Sequence, residues 1–92
     1  MIVETIRFDQ TVYGWSPDAD ITKSFLHFQK NYIKELQAHL GYIYLSRIYE
    51  ILGVKWQPED HKNYCYSVDF DLHIDIEQSD EPEVFLIKIY QD

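Results

Sequence analysis

Asp71, His73 and Asp75 stand at two-residue intervals within VDFDLHIDIE, residues 68–77. Two carboxylates and an imidazole are ligand types that hold a divalent cation, and a metal-bound water is the nucleophile of many hydrolases. The spacing works against a tight site. Alternate residues of an extended strand lie about 6 to 7 Å apart and their side chains splay. No other segment offers a clear completing ligand. An acid-x-Lys arrangement of the nuclease kind is missing, because Lys88 sits in LIK. With only Gly14, Gly41 and Gly53, the chain has no glycine-rich phosphate loop, and it has no serine or cysteine nucleophile motif. The residues point away from an enzyme, a resident metal and a cofactor. A metal-dependent hydrolase using Asp71, His73 and Asp75 is the lesser alternative.

The same stretch has a second property, its charge. The formal net charge is −8, from 8 basic and 16 acidic residues. Residues 1–56 are balanced, with six acids and six bases, whereas residues 57–92 carry ten acids against Lys62 and Lys88. Such a field repels nucleic acids and anionic membranes and attracts basic partners. Asp69, Asp71, Asp75 and Glu77 have no basic residue among them along the strand, and Asp80, Glu81 and Glu83 extend the run around the next turn. The simpler reading is a solvated strand whose charges block edge pairing. That reading leaves the uniform sign unexplained, since solvated faces mix lysine with acid and like charges along one strand are destabilising. Carboxylates about 6.6 Å apart on a rigid strand can instead imitate the phosphates of a duplex inside a basic channel. Trp56, Tyr64, Tyr66 and Tyr90 are the candidate aromatic anchors beside them.

These residues need a scaffold. Ninety-two residues make one domain, 1–92, with a small core rich in aromatics: five Phe, eight Tyr and two Trp. IVETIRF, 2–8, reads as a strand, and TVYGW, 11–15, as a short second one. SPDAD, 16–20, starts a helix capped by Ser16 or Asp20. The helix runs to residue 40, with Ile21, Phe25, Phe28, Tyr32, Leu36 and Leu40 as its core stripe and Gly41 as its stop. His27 and His39 fall on its surface or boundary. Residues 42–45 are extended or a tight connector, Ser46 caps a short helix 47–52, and Gly53 closes it. A loop covers 54–62. From Tyr64 to Ile76 the alternation of apolar and polar residues is unbroken, which predicts a half-buried antiparallel strand. Its length predicts a bend, bulge or break. SDEPE, 79–83, is a turn, and VFLIKIY, 84–90, is a more central strand. The expected class is α+β in the order β(β)ααββ, with one long and one short helix on one face of a small antiparallel sheet of three or four strands. Phe25, Phe28, Tyr32, Leu36, Val68, Phe70, Leu72, Ile74, Phe85, Ile87 and Ile89 are the expected core.

GYIYLSRIYEILG, 41–53, resembles a pattern found in a group of small uncharacterised proteins of phages and mobile elements of Gram-positive bacteria. There the motif follows an amphipathic helix with an acidic start, as residues 18–40 do here, and a terminal apolar strand is similar to VFLIKIYQD. The resemblance covers roughly residues 18–56. A Gly-Trp found after a longer linker in that group is absent; only Trp56 stands near. The motif itself reads as a cap, a short helix and a glycine stop.

The resemblance implies a phage origin. By analogy of class, it also suggests an acidic anti-CRISPR protein. The expected function is therefore inhibition of a nucleic-acid-binding host defence enzyme by occupying its DNA channel, with Cas9 and its guide RNA the model partner. The expected contacts are Asp69, Asp71, Asp75, Glu77, Asp80, Glu81, Trp56, Tyr64 and Tyr66. The rival is a structural or scaffold protein that self-associates through its aromatic surface. Neither direct nucleic-acid binding nor membrane binding is expected. The single cysteine, Cys65, allows no internal disulfide, MIVETIRF does not resemble a secretory leader, and no apolar run nears the ~20 residues of a membrane span. The expected location is the host cytoplasm.

Overall fold

Alternating apolar residues build the sheet. In the computed structural model, which describes residues 2–55, 65–67, 72–81 and 83–91, strand β1 (Ile2–Phe8) pairs antiparallel with the C-terminal strand, which in turn pairs with the charged strand. The elements in chain order are β1, α1 (Ala19–Leu40), β2 (Tyr42–Tyr44), α2 (Leu45–Leu52), β3 (Cys65–Ser67), β4 (Leu72–Gln78) and β5 (Phe85–Gln91). The main sheet has the order β1-β5-β4, and β2 and β3 form a separate antiparallel pair. The protein is α+β, as its periodicities predict.

Register fixes what faces inward. Ile6 lies opposite Ile87 and Phe8 opposite Phe85, while Ile74 and Ile76 lie opposite Ile89 and Ile87. All of these but Ile76, which is half-buried and packs against the rest, join Leu26 and Ile33 of α1 and Ile48, Tyr49 and Leu52 of α2 in one buried cluster. Phe8 and Phe25 meet at 5.9 Å between ring centroids. The Tyr49 phenol is pushed up to about 12, chiefly by burial and then by the Glu4 carboxylate beside it, which ties α2 to β1.

Three local expectations are corrected. Residues 11–15 are not a strand: the Asp9 carboxylate accepts from both the backbone N–H and the hydroxyl of Thr11, at 3.0 and 2.6 Å, and turns the chain. The cap of α1 is Asp18, which accepts from the Asp20 N–H at 3.0 Å; Asp20 sits in the first turn, and Ser16 is engaged elsewhere. Ser46 caps nothing, because β2 runs straight into α2 and Tyr44 occupies the cap position without a side-chain bond. The long strand is divided, as its length predicts: residues 65–67 pair with β2, residues 72–78 pair with β5, and residues 68–71 lie outside the described set.

The fourth correction concerns α1. Its buried residues are Thr22, Leu26, Ile33 and Gln37, not the expected stripe. Phe28 is 70% exposed and Tyr32 41%, with Ile21 and Leu40 also exposed; Phe25 and Leu36 are half-buried. The core face of the helix carries two polar residues that it can satisfy. The Thr22 hydroxyl donates to the Ser16 carbonyl and accepts from its N–H, both at 2.9 Å. The Gln37 amide donates to the carbonyls of Ser67 at 3.0 Å and Tyr66 at 3.3 Å. A buried polar group so paired escapes its desolvation cost. Among the expected core residues, Val68 and Phe70 lie outside the described set.

Candidate binding surfaces

The outward face of the sheet is set by the same alternation. His73, Asp75 and Glu77 of β4 are exposed on the face opposite Leu72 and Ile74. β4 is an edge strand of the main sheet. A compact turn then reverses the chain: the Ser79 N–H donates to the Val84 carbonyl at 2.9 Å, and the Val84 N–H to the Glu81 carbonyl at 3.0 Å. Asp80, Glu81 and Glu83 are exposed on it. The Trp15 indole N–H donates to the Glu83 carbonyl at 2.7 Å and fastens the turn to the segment before α1.

The structure therefore brings Asp75, Glu77, Asp80 and Glu81 to one rim of the molecule. Two cations share that rim. Lys88 of β5 stands opposite Asp75 and reaches the Glu77 carboxylate at 2.8 Å. The hydrogen bond that Lys88 donates to the Glu77 carboxylate, and then the charge of that carboxylate, raise the Lys88 pKa. Arg7 of β1 bonds Asp9 at 2.8 Å and approaches Glu81 at 3.7 Å. The uniform sign along the strand is thus interrupted across the sheet.

Asp69, Asp71, Trp56 and Tyr64 lie outside the described residues. Tyr66 is corrected: it is 1% exposed, facing inward from β3 opposite Ile43, and it is core rather than an anchor for a partner. Tyr90 is half-buried on the outward face, paired with His73. Cys65 is an exposed free thiol, and His27 and His39 are exposed. Among the described residues, no group of three or more His, Cys, Asp or Glu side chains is placed to hold a metal ion. None of their helices is long and apolar enough to cross a membrane.

The sequence reading missed a second surface. Ile21, Phe28 and Tyr32 form an exposed apolar flank along α1, continuous in spacing with the half-buried Phe25 and Leu36. It ends in an apolar groove of about 290 Å³ lined by Leu36, Leu40, Tyr42, Ile43, Tyr44 and Arg47. The Tyr42 and Tyr44 rings stand edge to face at 5.6 Å, exposed on the same side of β2. The signal was present in the sequence. The helix carries Leu26 and Ile33 in addition to the six-residue stripe, more apolar positions than one buried face requires.

The GYIYLSRIYEILG stretch divides by role. Leu45, Ile48, Tyr49 and Leu52 are core, and Gly41 and Gly53 hold φ of 85° and 80°, the left-handed conformation that stops each helix. Tyr42 and Tyr44 face outward. Comparison with protein-family models, curated proteins and solved structures gives no match to this chain.

Proposed function

We propose that this protein is a non-enzymatic, acidic binding protein that engages a basic, nucleic-acid-binding partner through β4 and the turn after it. The supporting observation is the exposure of Asp75, Glu77, Asp80, Glu81 and Glu83 on one edge strand and its turn. Lys88 and Arg7 draw on Glu77 and Glu81, so Asp75, Asp80 and Glu83 carry most of the charge a partner would meet. In its finer form, the protein is phage-encoded and occupies the DNA channel of a host defence enzyme, with a CRISPR effector as the leading candidate. Basic channels bind duplexes largely through charge, and carboxylates at strand spacing meet the same requirement.

Competition tests this reading. Cas9 with guide RNA is pre-bound to the protein and then offered labelled target duplex in a gel shift. The expected outcome is loss of duplex binding, relieved by salt and by the triple variant Asp75→Asn, Asp80→Asn, Glu83→Gln with its fold intact. Undiminished duplex binding, or full inhibition by the triple variant, sinks the proposal. The exposure of Phe28 and Tyr32 favours a second reading, a structural protein that self-associates through aromatic side chains.

A further inference from the structure

A flank bearing Ile21, Phe28 and Tyr32 is costly to leave in water, and large apolar side chains exposed side by side mark an interaction site. Its residues also show a symmetry. Read from either end, the stripe of Ile21, Phe25, Phe28, Tyr32, Leu36 and Leu40 is nearly the same, with its midpoint between Phe28 and Tyr32. An antiparallel isologous pairing suits this property, because each apolar residue then meets an apolar residue of its two-fold mate.

We propose that α1 packs antiparallel against α1 of a second copy of this chain, with the two-fold axis between Phe28 and Tyr32. Phe28 of each copy then meets Tyr32 of the other, Phe25 meets Leu36, and Ile21 meets the end of the helix at His39 and Leu40. That end is where the groove opens. Its lining of Leu36, Leu40, Tyr42 and Ile43 accepts a branched aliphatic side chain, and Ile21 of the second copy supplies one. A knob seated between four side chains is the packing mode of paired helices.

Charge fits the same arrangement. The chain is strongly acidic, yet α1 holds Asp20 and Glu35 against Lys23, Lys30 and Lys34, so it escapes the repulsion that the acidic rim would impose. Antiparallel packing sets the acidic start of each helix, Asp18 and Asp20, beside the end carrying His39 and Arg47. Among the described residues Arg47 is tied only to Glu50, in an exposed pair at 3.2 Å. The Ser24 hydroxyl comes to Glu35 of the mate. The available length is sufficient: a 22-residue helix is about 33 Å long, in a molecule whose longest extent is 36 Å. Pairing along most of it approaches the roughly 800 Å² per partner of a stable complex.

The inference does not depend on the acidic rim, and salt separates the two. Screening weakens binding of a basic partner, but it strengthens association of two copies that each carry −8. Sedimentation velocity from low micromolar to millimolar concentration is expected to show the mass rise from 11.1 kDa towards twice that, more readily at high salt. Phe28→Glu, at a position already exposed, is expected to weaken the dimer at least about 30-fold with unchanged circular dichroism. In a Cys65→Ser background, Ile21→Cys mixed with His39→Cys is expected to give a heterodisulfide. A protein that stays monomeric throughout, a dimer indifferent to Phe28→Glu, or Ile21→Cys that cross-links only to itself would each overturn the proposal.

Discussion

The Lys88 ammonium lies 2.8 Å from the Glu77 carboxylate while standing opposite Asp75 in the ladder between β4 and β5. One cation on the central strand therefore bears on two carboxylates of the edge strand. The cross-strand neighbour tempers the repulsion that a row of like charges would otherwise impose. It also sets how much negative charge the rim presents to a partner.

Lys88→Gln should raise that charge. Binding to a basic partner is expected to become tighter and more salt-sensitive. Stability should change little, because the pair is exposed at the Glu77 end and solvent screens it. Affinity titrations at low and high salt, with thermal melts alongside, check both parts. Weaker binding by the variant would show that Lys88 itself contacts the partner.

The faces of α1 are told apart by truncation. Leu26→Ala and Ile33→Ala remove side chains that are each 1% exposed and should cost roughly 2 to 5 kcal/mol. Phe28→Ala, at 70% exposure, should change the stability of the monomer by less than about 0.5 kcal/mol. Urea titrations at low protein concentration make the comparison. Equal losses at positions 26 and 28 would refute the observed helix orientation.

That orientation is where the sequence was least legible. Strict alternation marks the inward residues of β4, a near-continuous apolar run marks β5, and Gly41 and Gly53 mark two helix ends, because each signal is local. The face of α1 was not local information. Ile21, Phe28 and Tyr32 are more apolar than Thr22 and Gln37, and periodicity weighs polarity alone. Thr22 and Gln37 are buried because Ser16, Tyr66 and Ser67 offer them backbone partners, two of them about thirty residues away. The charge of the rim is hidden from the sequence for a similar reason: Lys88 lies outside the acidic run and meets it across the sheet. Asp75, Glu77, Asp80 and Glu81 were legible because they share one strand and its turn.

Asp9 supplies a pH dependence. Bonds from the Thr11 hydroxyl, then from Arg7 and the Thr11 backbone, lower its pKa from 3.8 to about 2. A depressed carboxylate contributes stability that is complete above the unfolded value and is lost as pH falls through the folded one. Thr11→Val removes the hydroxyl and should destabilise by roughly 1 kcal/mol at neutral pH. The difference from the parent should shrink between about pH 4 and pH 2, as Asp9 protonates in both. Urea midpoints across that range test it. A difference that stays constant to pH 2 would mean that Thr11 acts through something other than the Asp9 charge.

Gln37 offers the sharpest test of how the two sheets are joined. Its side-chain amide bonds α1 to the Tyr66 and Ser67 carbonyls, at 3.3 and 3.0 Å, and so helps to hold the β2–β3 pair against the helix. Gln37→Leu keeps much of the volume and removes the donor, leaving those carbonyls without it. The expected cost is about 1 to 3 kcal/mol. Gln37→Glu should cost more when ionised, since a carboxylate would face two carbonyl oxygens with nothing to donate. Protonation gives the Glu a donor again, so its deficit relative to Leu should narrow as the pH is lowered. Loss of protection should also be local, with amide exchange speeding first in residues 42–44 and 65–67. If Gln37→Leu matches the parent in stability and exchange, the amide is a passenger, and β2 and β3 are held by the packing of Ile43 and Tyr66 alone.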